Sequence, residues 1–171
     1  MRLQSLTLRP ARAEDAPFLR RLYASTREDE LSALAWNPGQ RETFLTLQVD
    51  AQERHYRAHY RHAQFDVIER EGMPVGRLVV DRSARAIHVV DIALLPAQRG
   101  AGIGSALLRE LQGEAAARGS AVTLRVVQTN PALRLYARLG FREVDKDEIY
   151  VGMEWYPGTE VSLEAQPKTA S

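Results

Sequence analysis

The residues of this chain best suited to chemistry are three glycines in one short loop, with an arginine just before them. The loop is Arg99-Gly100-Ala101-Gly102-Ile103-Gly104, and it lies between an apolar segment and a segment with helical spacing. Glycine lets a backbone turn tightly and approach a ligand closely. The first turn of a helix adds unpaired N–H groups and a partial positive charge. Together with the charge of Arg99, these features predict a binding site for phosphate or pyrophosphate.

Two common phosphate-binding loops do not fit this spacing. A P-loop requires a lysine after its last glycine, and here Ser105 follows Gly104. The dinucleotide-binding fingerprint is G-x-G-x-x-G after the first strand of its unit, whereas these glycines are spaced G-x-G-x-G after several predicted strands. The remaining alternative is a flexible loop that needs glycine only in order to turn.

Two polar residues interrupt the apolar strand that leads into the loop. The strand is predicted over residues 87–95, and its polar members are His88 and Asp91. Such an apolar strand is typical of the middle of a sheet. Both residues are therefore candidates for a site at the end of this strand. The ordinary alternatives are a solvent-facing His88, and an Asp91 that caps a turn or pairs with an arginine.

The elements that must position these residues follow from the hydrophobic spacing. Strands are predicted over residues 3–9, 65–69, 75–81, 87–95, 121–127 and 148–155, and helices over 15–26, 41–62, from the glycine loop to 118, and 130–140. The order is β-α-α-β-β-β-α-β-α-β, with room for one more strand at the end. The strand-helix-strand unit over 87–127 is a crossover, so its two strands should run parallel within an otherwise antiparallel sheet.

Local signals set the ends of several elements. Asn37-Pro38-Gly39 is a turn signal, Gly119 is expected to close the helix after the glycine loop, and Asn130 with Pro131 to begin the next one. The apolar stripe expected for the long helix over 41–62 includes Phe44, Leu47, Ala51 and Ala58.

Composition narrows the class of protein. A chain of 171 residues, 44% hydrophobic and 26% charged, fits one soluble globular domain. A net charge of +1 gives no reason to expect nucleic acid. The absence of cysteine excludes disulfides, thiolate metal sites and a cysteine nucleophile. There is no signal-peptide core and no apolar run near the ~20 residues of a membrane span. We therefore expect a cytoplasmic protein without a metal or a membrane span, with a disordered polar tail over 157–171.

Two motifs resemble the GNAT superfamily of acetyl-CoA-dependent N-acetyltransferases. The glycine loop resembles the pyrophosphate loop of that superfamily, [RQ]-x-x-G-x-[GA], with Arg99, Gly102 and Gly104 at the defined positions. Residues 130–141 resemble its motif N-P-A-x-x-L-Y-x-x-L-G-F, and residues 150–155 its terminal strand. The resemblance implies an α/β fold over residues 1–156. Its central sheet would be mixed and mostly antiparallel, with one splayed parallel strand pair and helices on both faces.

The resemblance also implies acetyl-CoA as co-substrate and a role for each part of the site. The backbone of Ile92, Ala93 and Leu94 would bind the pantetheine arm like an added strand. The loop Arg99, Gly100, Ala101, Gly102, Ile103 and Gly104 would wrap the pyrophosphate, and Asn130 would touch the other side of the arm. Tyr136 would act as general acid on the leaving thiolate. The N–H of Leu94 is a plausible donor to the oxyanion.

An amine acceptor must lose a proton before it can attack. A lysine-like ammonium has a pKa of ~10.4, so deprotonation at neutral pH costs about 4 kcal/mol. His88 and Asp91 are the candidate general bases, because both lie on the strand leading into the cofactor site. His88 aligns with the glutamate base of the histone acetyltransferase branch. The position of the base in the ribosomal-protein branch is Arg125 here, which disfavours ribosomal N-terminal acetylation, and Thr129 replaces an asparagine common in the superfamily.

Three hypotheses for the activity follow. The leading one is transfer of acetyl to a primary amine of an unidentified small molecule or protein, by direct attack in a ternary complex. The alternatives are a non-catalytic acyl-CoA sensor and a transferase of larger acyl groups. The acidic run 28–30 either attracts a cationic acceptor or begins a helix. Members of the superfamily are often dimers, and a homodimer paired through the strand over 150–155 is a further expectation.

Overall fold

The computed structural model describes residues 5–158, so the predicted tail from residue 159 onward and the start of the predicted first strand lie outside the described residues. The helices are α1 (Ala16–Thr26), α2 (Glu28–Ser32), α3 (Pro38–His59), α4 (Ile103–Arg118) and α5 (Leu133–Arg138). The strands are β1 (Leu6–Pro10), β2 (Ala63–Arg70), β3 (Met73–Arg82), β4 (Ala86–Leu94), β5 (Ala121–Val127), β6 (Arg142–Lys146) and β7 (Tyr150–Trp155).

The seven strands form one sheet in the order β1-β2-β3-β4-β5-β7-β6. Every neighbouring pair is antiparallel except β4 and β5, which are parallel and joined through α4. The predicted crossover is thus confirmed. Because the parallel pair lies in the middle of the sheet, the end of β4 and the glycine loop sit at its centre.

Helices cover both faces of the sheet. Val67 and Ile68 are consecutive in β2 and point to opposite faces. Val67 packs against Phe18 and Leu22 of α1, whereas Ile68 belongs to the main core with Leu108 of α4. The predicted fold class, a mixed and mostly antiparallel sheet between helices, is confirmed.

The long helix α3 differs from its prediction in its start and in its buried face. Asn37 is not in a separate turn but caps α3, with its Oδ1 accepting from the N–H of Gln40 at 2.8 Å. Of the predicted apolar stripe, Phe44 packs against a buried cluster that includes Leu45, but the placement of Leu47, Ala51 and Ala58 on the buried face is wrong. These three are exposed, Leu47 to 59%, while Leu45 and Val49 are buried. The real stripe continues at helical spacing through Gln52 and Tyr56, and these polar side chains hide it from a search for apolar residues.

The C-terminal part differs at two further points. Asn130 does not cap α5 directly, because its Oδ1 accepts from the N–H of Ala132 at 2.9 Å and the helix begins at Leu133. The strand β6 is the edge of the sheet, and β7 lies between β5 and β6. The expected pairing of β7 across a dimer interface is therefore wrong, because both of its edges are already hydrogen-bonded. By contrast, Gly119 closes α4 in the left-handed conformation, as predicted.

In the part of the chain that the structure describes, no helix is both long enough and apolar enough to cross a membrane.

Candidate active site

The central feature of the site is a gap between the two parallel strands. β4 pairs with β5 only from Ala86 to Val89, opposite residues 121–124, and both strands then continue without pairing to each other. The separation begins at a β-bulge in which Val90 has no partner on β3, because Val79 pairs with Asp91 and Val80 with Val89. A bulge bends its strand, so this one turns β4 away from β5.

The backbone of β4 beyond the bulge has a defined orientation. The N–H of Leu95 donates to the carbonyl oxygen of Val75 on β3 at 2.9 Å. Because successive residues of a strand direct their N–H and C=O groups to opposite sides, Ala93 also faces β3. Ile92 and Leu94 face the gap, where unpaired backbone groups can accept an added strand.

A glycine on β3 makes room for this part of β4. A Cβ on Gly76 would overlap the carbonyl oxygen of Ala93 and lie 2.7 Å from Cδ2 of Leu94. Sequence reasoning missed Gly76, although an isolated glycine inside a strand is a known signal of close backbone approach. Gly76 therefore helps to set the position of the β4 residues that line the gap.

The glycine loop needs its glycines for conformation. Gly100 and Gly102 have φ angles of +74° and +82°, which side chains rarely adopt. A Cβ at either position would meet no atom within 4 Å, so the space above the loop is open. Arg99 is exposed, and its Nε donates to the carbonyl oxygen of Leu94 at 3.0 Å. The loop thus presents the N-terminus of α4 and a cation beside the gap, which suits a phosphate group.

Tyr136 of α5 is buried, and its ring packs edge-to-face on Phe141 at 5.9 Å between centroids. Burial, with a smaller contribution from the charge of Asp91, raises the pKa of Tyr136 to about 12. Within residues 5–158 its hydroxyl makes no hydrogen bond, and the oxygen is not among the fully enclosed polar atoms that lack a partner. The hydroxyl is therefore accessible near Asp91, and it remains protonated at neutral pH.

Asp91 is paired with Arg77 of β3. Nε of Arg77 donates to Oδ2 of Asp91 at 2.9 Å, and Nη2 donates to the same oxygen. Nη2 also donates to Oε1 of Gln52 on α3 at 2.8 Å, and the guanidinium lies 5.8 Å from the ring centre of Tyr56. The structure thus shows Asp91 paired with an arginine, which was one of the two alternatives to a catalytic role. A role as general base remains a prediction.

His88 is half-buried, in the part of β4 that still pairs with β5. Its Nδ1 lies 2.8 Å from Oγ1 of Thr123 on β5, and its ring stacks on Tyr60 with centroids 5.3 Å apart. Burial lowers the pKa of His88, and the charge of Asp81 opposes this shift. The neutral imidazole is therefore the favoured form near pH 7, as a general base requires.

The structure places Tyr136 near Asp91 and leaves other predicted residues apart from them. The charge of Asp91 raises the pKa of Tyr136 and also, after burial, that of Tyr56, so phenols from α5 and α3 both lie near this carboxylate. Asn130 is exposed in the connection between β5 and α5. Glu28 and Glu30 lie in the first turn of α2, where they pair with Arg41 and Arg27 respectively.

No group of three or more metal-ligating side chains is arranged to hold a metal ion in the described part of the chain.

Residues 61–143 match the family model of the acetyltransferase (GNAT) domain. This part of the chain is a domain of the GNAT superfamily. No curated protein sequence matches it at a significant level.

Solved structures resemble this chain over most of its length. A PaiA N-acetyltransferase of Thermoplasma acidophilum in complex with coenzyme A has a TM-score of 0.66 at 17% identity, covering 90% of this chain and 99% of that one. A protein of Corynebacterium glutamicum, described as histone acetyltransferase HPA2 and related acetyltransferase, has a TM-score of 0.61 at 24% identity over 92% and 99%. A nourseothricin acetyltransferase has a TM-score of 0.50 at 28% identity over 56% and 65%. The first two, at their low identities, support the fold alone.

The side of the molecule formed by α3 holds the residues that sequence reasoning missed. They are Gln52 of α3 and Arg77 of β3, which contacts it. The spacing of Leu45, Val49, Gln52 and Tyr56 along one helix face was a usable signal. No sequence pattern pointed to Arg77, because only the strand register places it beside Asp91.

Proposed function

We propose that this GNAT domain, over residues 1–156, transfers the acetyl group of acetyl-CoA to a primary amine by direct attack in a ternary complex. The observation that carries the proposal is the gap between β4 and β5. It leaves the N–H and C=O of Ile92 and the N–H of Leu94 unpaired beside a glycine loop that suits a phosphate, while the carbonyl oxygen of Leu94 accepts from Arg99. In this proposal the gap would join a cofactor site on one face of the sheet to an acceptor site on the other.

The residues present fit acetyl-CoA, which would supply an activated thioester when bound. Ile92 and Leu94 would hydrogen-bond the pantetheine arm, whereas the N–H and C=O of Ala93 between them face β3. The loop Arg99, Gly100, Ala101, Gly102, Ile103 and Gly104 would hold the pyrophosphate, and Asn130 would lie along the arm. Support comes from the open space above Gly100 and Gly102 and from their left-handed conformation.

The residues of the chain would then divide the chemistry among them. The N–H of Leu94 faces the gap and would donate to the thioester carbonyl oxygen as charge develops there. The amine nitrogen forms the new bond to the carbonyl carbon while the carbon–sulfur bond breaks. The hydroxyl of Tyr136 would give its proton to the departing sulfur. Its raised pKa supports this role, since an acid must still hold its proton when it is needed.

The proton of the amine would pass to His88 through a chain of waters, because His88 lies six residues before Leu94 along β4. His88 fits this role better than Asp91, because burial keeps the imidazole neutral. The Oδ2 atom of Asp91, by contrast, is occupied by two donors from Arg77.

The test is acetyl-CoA binding by calorimetry, with free-CoA release measured over a panel of primary amines. Gly102→Trp should lower the affinity at least tenfold, because its side chain fills the open space above the loop. Gly119→Trp is the matched control, since this glycine closes the same helix with positive φ and equal free space. It should bind as wild type does.

A folded wild-type protein that does not bind sub-millimolar acetyl-CoA would contradict the proposal. Binding without CoA release over the whole panel would favour the acyl-CoA sensor instead.

A further inference from the structure

Arg77 is an unusual residue to find in the interior of a sheet. It is 9% exposed, the lowest value of any arginine in the described residues, and its side chain reaches Asp91, Gln52 and the ring of Tyr56. A buried cation with three contacts has one defined position, because desolvating it is costly unless each donor is satisfied. Arg77 therefore fixes the Asp91 carboxylate relative to α3.

The pairing leaves one oxygen of Asp91 free. All hydrogen bonds that Asp91 receives from residues 5–158 fall on Oδ2. Its Oδ1 is not among the enclosed polar atoms without a partner, and the side chain is 22% exposed. Oδ1 can therefore accept a hydrogen bond from an incoming cation.

A lone carboxylate at this place would hinder acetyl transfer to an amine. It would bind the ammonium form and raise its pKa, because an opposite charge within ~4–6 Å favours the charged form. The amine must be neutral to attack. A fixed guanidinium on the same carboxylate opposes that effect, so the amine can be anchored and still lose its proton.

The other titratable groups around the Arg77–Asp91 pair do not supply a positive charge that could offset the Asp91 carboxylate. Those close to it are Tyr56 of α3 and Tyr136 of α5. Tyr60, which directly follows α3, and Tyr150 of β7 lie beside Tyr56, and His88 of β4 stacks on Tyr60. Burial raises the pKa of Tyr56 and of Tyr136 and lowers the pKa of His88, so these three groups are uncharged near neutral pH. Arg125 of β5 is tied to Asp145 and Asp147.

A cavity of about 220 Å³ is also lined by Arg77. Its other charged residues are Arg12, Arg20, Arg57, Asp50 and Glu53. Of these, Arg57 pairs with Glu53, and Arg20 pairs with Glu42. Asp91 therefore depends on Arg77 for its direct counter-charge.

Resting on the proposed acetyl transfer, we propose that Arg77 is a positioning residue of the acceptor site. It holds Asp91 so that this carboxylate anchors a cationic aliphatic amine without opposing the loss of its proton. The acceptor class is then an amine that is protonated in solution, such as a lysine side chain or a polyamine, rather than a weakly basic aromatic amine.

The test compares rate against pH for wild type and Arg77→Met, with the best amine of the panel and with hydroxylamine, which is neutral at pH 7. For the basic amine, Arg77→Met should move the half-maximal rate upward by about one pH unit and lower kcat/KM about tenfold at pH 7. The rate with hydroxylamine should change less than twofold. Arg77→Lys should restore the wild-type profile, and acetyl-CoA affinity should not change.

Asp91→Asn gives a second test that leaves Arg77 in place, should Arg77→Met fail to fold. It should raise KM for the basic amine at least tenfold and move the half-maximal rate to lower pH. Equal losses with both nucleophiles at every pH, or an unmoved profile in both variants, would overturn the inference. Absence of acetyl transfer by wild type would instead overturn the proposed function.

Discussion

The two sides of the gap between β4 and β5 differ in which groups would bind a ligand: backbone groups on one side and side chains on the other. On the side of α4 and α5, the features that suit a ligand belong to the backbone, namely Leu94 and the left-handed Gly100 and Gly102. On the side of α3, they belong to side chains, namely the Arg77–Asp91 pair and the phenol of Tyr56. The first side would bind a cofactor common to a whole superfamily, and the second an acceptor particular to this chain.

This difference between backbone and side-chain groups explains why only the cofactor side has a recognisable sequence motif. A backbone site requires glycine at closely spaced positions of one loop, here Gly100 and Gly102, because other residues rarely adopt those φ angles. It therefore leaves a short and readable pattern. A side-chain site assembled from β3, β4 and α3 needs only that its members meet in space, and the corresponding positions are scattered along the chain.

Among the variants that test the two sides of the gap, Tyr136→Phe is expected to have the largest effect, which is on kcat. Loss of the proton donor should lower kcat about a hundredfold, with little change in acetyl-CoA affinity. Stability should also change little, because the hydroxyl has no hydrogen bond within residues 5–158 and the ring contact with Phe141 is kept. Since the pKa of Tyr136 is raised to about 12, the wild-type rate should not fall through its ionisation below pH 10. A variant with wild-type kcat would remove Tyr136 from the mechanism.

Gly76→Ala should disturb the cofactor side by displacing β4. The added Cβ meets the backbone of Ala93, which cannot move without shifting Leu94. We expect a loss of about 1–3 kcal/mol in the free energy of unfolding and weaker acetyl-CoA binding, measured by denaturant unfolding and calorimetry.

Gly113→Ala is the control for that substitution. Gly113 is exposed within α4 and has free space around it, so alanine should stabilise the helix by up to about 1 kcal/mol. If Gly76→Ala were equally harmless, the close approach of β3 and β4 would not matter for the site.

His88→Gln tests the acceptor side of the gap and should have the smallest effect on activity. We expect a loss of about tenfold in kcat/KM at pH 7, because water can partly replace a base. A general base works in its neutral form, and burial lowers the pKa of His88 below its usual 6.5. Activity should therefore be present at pH 7 and fall only as the pH drops through that lowered pKa. In the variant this acidic fall should disappear. A fall that persists unchanged would assign it to another group.

Much of the fold was predictable from sequence because strand and helix periods are local. β5 was placed with its observed bounds, and Gly119 at the end of α4 was identified by its position after an amphipathic segment. The prediction for α3 failed at Leu47, because the buried face of a helix depends on its neighbours and here includes polar Gln52 and Tyr56.

The sequence by itself determined the superfamily, the crossover in the sheet and the loop suited to phosphate, because each depends on residues close together in the chain. Only the tertiary structure decided what surrounds the acceptor. The bulge at Val90 and the register of β3 bring Arg77 to Asp91, and the rotation of α3 brings Tyr56 to both. Register and rotation are set by the packing of the whole core, so no local pattern specifies them.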